Sequence, residues 1–125
     1  MSVREVDGKR VVRLVERVTI SGPGGEESVR AKVDTGADRT SVDMELAAKL
    51  KLWQTGSKIT IKTSDAGKMV ERPLAEATVT VRGKSFKLKV GVADRSLMRF
   101  RVIIGRDILR SGDFLIDPSR RKKKP

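Results

Sequence analysis

The chain has no cysteine and no histidine. Without thiols there are no disulfides and no cysteine nucleophile, which suits a reducing compartment, and a cytoplasmic location is expected. Without imidazole there is no Ser-His or Cys-His pair. Any metal would have only carboxylates, carbonyls and water as ligands, so the expectation is no metal and no cofactor. Aromatic residues make up only 3% of the 125 residues, so Val, Ile and Leu must fill the core, and that favours packed strands. No apolar run reaches the roughly 18 residues that a spanning helix needs, and the N-terminus carries no charged-then-apolar leader, so no membrane association is expected.

Positive charge is what the chain has in excess. The net charge is +12, and five of those charges lie in Arg120-Arg121-Lys122-Lys123-Lys124, leaving +7 on the remainder. Such a field attracts polyanions: nucleic acid, a ribosome, or an acidic protein or peptide. The length suits one domain, placed at residues 1–119, followed by a basic disordered tail at 120–125 through which nucleic acid or a ribosome could be engaged.

Alternation of apolar and polar residues marks the strands. Arg10 to Ile20 places Val12, Leu14, Val18 and Ile20 on one face and reads as one half-buried strand. Ser21-Gly22-Pro23-Gly24-Gly25-Glu26 is a turn that lacks the Gly-Lys-Ser/Thr ending of a phosphate loop. Ser28 to Val33 is the next strand. Asp43 can cap a short helix through Leu50. Further strands follow at Ile59-Thr60-Ile61, Ala77–Arg82 and Phe86–Val92, then Val102–Gly105, a helical turn with Ile108 and Leu109, and a closing strand Phe114–Asp117 ended by Pro118. Short strands with turns every eight to twelve residues indicate an all-β chain closed into a small barrel.

Two segments carry the chemistry. Val33-Asp34-Thr35-Gly36-Ala37-Asp38 sets a carboxylate on a Gly turn after an apolar strand, and Val102-Ile103-Ile104-Gly105-Arg106-Asp107 echoes it. A bare Asp-Thr-Gly is also ordinary turn chemistry, so the second segment gives the first its weight. Two carboxylates sharing one proton can hydrolyse a peptide bond without metal or nucleophile: one acts as base toward water, and the other protonates the carbonyl oxygen. The motif occurs once, so a twin chain would have to bring the second carboxylate.

Val33 to Thr40 resembles the active-site loop of retroviral aspartic proteases, and Ile103 to Leu109 resembles their C-terminal Gly-Arg turn and helix. The resemblance implies a retropepsin-type closed barrel with one short C-terminal helix, assembled as a two-fold homodimer. It implies catalysis at Asp34, Thr35 and Gly36, with Thr35 gripping across the dimer axis, and a bracing pair between Asp38 and Arg106. It also implies substrate-backbone contacts at Gly36 and Asp38, and Ala37 and Arg39 beside them are further candidate substrate contacts. A second resemblance is to a prokaryotic family labelled ATP-dependent zinc proteases, relatives of retropepsins often encoded beside glutamate ligases. Ala31–Ala37, Thr40-Ser41, Gly105-Arg106 and Phe114–Arg120 carry it. With no His, no Cys and no phosphate loop, this chain does not fit that label's zinc or ATP.

The flap departs from the retroviral pattern, having no Gly-rich tip. Asp65-Ala66-Gly67 is the expected tip and substrate contact, between Ile59-Thr60-Ile61 and Met69-Val70. Ala66 lacks the hydroxyl that a second catalytic loop would need. The function expected is a homodimeric aspartic endopeptidase acting on peptides or proteins, with an acidic, glutamate-rich tail as the substrate suited to +12. Arg39, Lys62, Lys68 and Arg72 could line the cleft. The alternative is a non-catalytic dimer of the same fold that holds an acidic protein or RNA.

Overall fold

The computed structural model describes residues 4–62 and 67–119. Within them the elements run β1 (Glu5–Val6), β2 (Lys9–Arg13), β3 (Val15–Gly22), β4 (Gly25–Val33), β5 (Ser41–Asp43), α1 (Met44–Lys49), β6 (Trp53–Lys62), β7 (Met69–Val81), β8 (Lys84–Ala93), β9 (Val102–Ile104), α2 (Arg106–Ser111) and β10 (Leu115–Asp117). Strands β3-β4-β9-β5-β8-β7 are hydrogen-bonded in that order. The ring closes where Thr19, Ile20 and Ser21 of β3 meet Thr80, Val79 and Thr78 of β7. The result is the small closed barrel expected from the strand pattern, here of six strands.

Alternate residues of each strand point inward, so the interior is branched aliphatic: Val18 and Ile20, Ala31 and Val33, Val79 and Val81, Val102 and Ile104 are all buried. Each Val or Ile side chain taken from water contributes about 1.5–3 kcal/mol, which is how a chain poor in aromatics builds a core. Two helices pack on the barrel, both at positions expected from the sequence. The C-terminal α2 buries Ile108 and Leu109, and α1 buries Leu46 and Ala47 and is capped, as expected, by Asp43, whose carboxylate accepts the Glu45 amide at 3.1 Å.

The strand expected over Arg10–Ile20 is broken at Leu14, which is 48% exposed. The chain changes sheets there. β2 pairs with β1 and, in parallel, with β10 (Val11 beside Leu115), whereas β3 pairs with β4. Leu14 sits at the corner and faces neither interior. Glu16, on the same side of the alternation, is buried instead, and its carboxylate accepts from the Arg13 amide at 2.6 Å and the Arg82 guanidinium at 3.0 Å.

β6 and β7 form a long hairpin that reaches from the barrel, with Ile59 opposite Arg72 and Lys62 opposite Met69. The expected tip residues Asp65 and Ala66 lie outside the described residues. Gly67 has φ 68°, the left-handed backbone of a turn that glycine takes without strain. No described helix is long and apolar enough to cross a membrane.

Candidate active site

β4 and β9 run parallel, with Val33 beside Ile104, so the loops leaving their carboxyl ends emerge together. One loop begins with Asp34 and the other with Gly105-Arg106. Three backbone bonds join them: the Asp34 amide to the Ile104 carbonyl at 2.9 Å, the Arg106 amide to the Ala37 carbonyl at 2.8 Å, and the Asp107 amide to the Asp38 carbonyl at 3.2 Å. Glycine is required at 105 because a Cβ there would lie 2.6 Å from the Arg39 carbonyl carbon. A bulkier residue would pry the loops apart.

The Asp34 carboxylate accepts the Gly36 amide at 2.9 Å through Oδ1, which fixes that oxygen and leaves the side chain only half-buried. It opens on a cleft of about 610 Å³ lined by Gly36, Ala37, Asp38, Arg39 and Ser41 from the loop side. Ile59, Thr60, Ile61 and Arg72 of the hairpin line its other side. The structure therefore gathers Asp34, Gly36, Ala37, Asp38 and Arg39 around one cavity with the hairpin facing them. Thr35 is exposed at the turn, and its carbonyl accepts the Arg106 Nη1 at 2.5 Å. Of the cations expected around the cleft, Arg39 and Arg72 line it, and Lys68 is exposed outside the lining. The Lys62 side chain lies outside what is described.

Arg106 also pairs with Asp38 through Nη2. The pair lies toward the surface. Asp38 is 88% exposed and Arg106 33%, because Asp38 stands on the outer edge of its loop with water on most sides. The buried brace is made by other residues. The Asp107 carboxylate takes the Thr40 amide and hydroxyl, and the Thr40 hydroxyl in turn accepts the Gly105 amide at 3.1 Å.

Arg95 is a lining residue that sequence reasoning missed. It follows β8, and β5–β8 pairing (Ser41 beside Gly91) brings that strand end to the cleft, a juxtaposition that no local motif signals. Its amide donates to Asp43 at 2.7 Å and its Nε to the Phe100 carbonyl at 2.8 Å. Burial pushes the Asp43 carboxyl up, but the Arg95 amide, the Arg101 side chain and the Glu45 amide outweigh it and hold the group below the usual carboxylate range. Among the described residues no three carboxylates gather as a set that could hold a metal ion.

Comparison with known proteins agrees with this geometry. A family model described as aspartyl protease matches residues 16–108. EIAV protease, solved in complex with the inhibitor HBY-793, superposes with a TM-score of 0.60 at 25% identity, covering 85% of this chain and 93% of the viral one. A Legionella pneumophila protein of unknown function, Lpg0085, also gives a TM-score of 0.60, at 18% identity, over 86% of this chain and 92% of its own. No curated protein matches in sequence.

Proposed function

The chain belongs to the aspartyl protease family whose model spans residues 16–108, and from that premise we propose that it is a homodimeric aspartic endopeptidase acting on acidic peptides. The observation that carries the reading is the position of Asp34: half-buried at the wall of the cleft, one oxygen fixed by the Gly36 amide, under a hairpin that faces it. Each chain brings one such carboxylate, and the chemistry uses two.

In the proposed dimer, Asp34 of each chain meets at the two-fold axis. At about 3 Å the two carboxylates cannot both ionise, so they share one proton and titrate as a pair. The ionised member takes a proton from a water held between them, and that water attacks the scissile carbonyl. The protonated member gives its proton to the carbonyl oxygen as the tetrahedral intermediate forms. Thr35, exposed beside the turn, is free to reach across the axis. The hairpin β6–β7 is placed to cover the substrate and exclude water, which strengthens every electrostatic contact within. A net charge of +12 raises the local concentration of acidic chains.

The test is hydrolysis of a fluorogenic peptide library across pH by wild type and Asp34→Asn. Turnover in wild type with a pH dependence typical of a coupled carboxylate pair, and none in the variant, is the expected outcome. Equal turnover in a folded Asp34→Asn protein would remove the mechanism.

A further inference from the structure

Beside Arg39, two more guanidinium groups line the same cleft as Asp34. Arg72 enters from β7, opposite Ile59, and Arg95 from the loop after β8. Among the described residues neither has a carboxylate partner. Arg95 is held by its amide on Asp43 and its Nε on the Phe100 carbonyl, so its Nη groups are positioned yet have no acceptor among those residues. Burial first, and then the like charge of Arg72, holds the Arg95 guanidinium below the ordinary arginine value, against the pull of Asp43 and Asp34. Ser41 of β5, on the side of β8 away from β7, lines the same cleft; it is 7% exposed, and its hydroxyl has no hydrogen-bond partner among the described residues.

Two like charges on half-buried side chains repel, and the arrangement is relieved when an anion sits between them. A planar carboxylate matches the guanidinium fork, whereas a neutral amide would leave both charges uncompensated. We propose that Arg72 and Arg95 form a carboxylate subsite that selects substrates with an acidic side chain beside the scissile bond. The proposal rests on the peptidase reading and replaces a diffuse attraction to positive charge with two specificity-determining residues. Asp38 does not neutralise them, since Arg106 already engages it.

Binding is measured on Asp34→Asn protein, which keeps the cleft without turnover, using a fluorescein-labelled alternating Ala-Glu peptide and its Ala-Gln isostere at one fixed ionic strength. The Ala-Glu peptide should bind about tenfold more tightly, a difference of about 1.4 kcal/mol. Adding Arg72→Met and Arg95→Met should erase that preference. Adding Arg17→Met and Arg110→Met, which remove the same charge away from the cleft, should leave it. Arg72→Met alone, on the hairpin, should already reduce the preference and serves if the double variant fails to fold. Equal affinity for the two peptides, or equal loss of preference in both double variants, overturns the proposal. Cleavage by wild type separates the two claims. A binding preference that follows Arg72 and Arg95 without any cleavage supports the subsite and sinks the peptidase. Cleavage without discrimination between Glu and Gln does the reverse.

Discussion

Thr40 gives both its amide and its hydroxyl to the Asp107 carboxylate, at 2.9 Å to Oδ2 and 2.7 Å to Oδ1. Thr40 is wholly buried, so this one carboxylate satisfies donors that water cannot reach. It ties the end of the loop that begins at Asp34 to the first turn of α2. The Gly105 amide on the Thr40 hydroxyl extends the link to the neighbouring turn.

Asp107→Ala should therefore destabilise the protein by about 1–3 kcal/mol, the cost of stranding a buried donor, and lower turnover by loosening the loop. Asp107→Asn keeps one acceptor oxygen and should lose less. Urea unfolding of the two variants checks the order. A stability for Asp107→Ala equal to wild type would mean the link is idle.

The Arg106–Asp38 pair should behave differently. Exposed ion pairs contribute about 0–1 kcal/mol, so Asp38→Ala should shift stability by no more than that. Arg106→Ala should cost more, because it also releases the Thr35 carbonyl held at 2.5 Å in the turn after Asp34. Arg106→Lys should fail to restore activity, since an ammonium cannot bond Thr35 and Asp38 with one planar fork. Melting temperatures and peptide turnover for the three variants decide this. Full activity in Arg106→Lys would contradict it.

The contrast shows how far the sequence could be read. Strand alternation exposed the barrel because the interior is aliphatic and inward positions recur every second residue. Asp34 and Arg106 were legible because they lie in short motifs. Burial is a property of three-dimensional neighbours, so the sequence could name Asp38 and Arg106 and still not show the buried link that Thr40 and Asp107 provide. Leu14 misled for a related reason: its alternation with Val12 and Val18 is intact, but the chain turns from one sheet to another at that residue. Arg95 was invisible because only the pairing of β5 with β8 brings it to the cleft.

Asp43 sets a pH limit on the fold. Its carboxylate is 0% exposed and accepts from the Glu45 amide, the Arg95 amide and Arg101, which keep its carboxyl below the ordinary value of 3.8. A carboxylate depressed in the folded state contributes stability that is fully present above its unfolded value and is lost as pH falls through the folded one. Stability should thus be flat from neutral pH to about pH 5 and decline below about pH 4. Asp43→Asn should be less stable at neutral pH by about 1–3 kcal/mol and decline less in acid. Urea unfolding from pH 7 to pH 3 measures both, and parallel curves for the two proteins would remove Asp43 as the cause.

Mixing wild type with Asp34→Asn protein tests whether the working unit holds two copies of Asp34. Under the proposed mechanism a mixed dimer has one carboxylate and one amide. The amide can neither share the proton nor act as the acid, so a mixed dimer should be inactive. If the chains exchange freely, an equal mixture contains about a quarter wild-type homodimers by random pairing and should retain about a quarter of the activity of wild type at the same total protein concentration. A site complete within one chain would instead retain about half. The same logic makes specific activity fall on dilution, as dimers dissociate into chains with half a site each. Activity that stays near half in the exchanged mixture and constant on dilution would place catalysis within a single chain and end the shared-dyad mechanism.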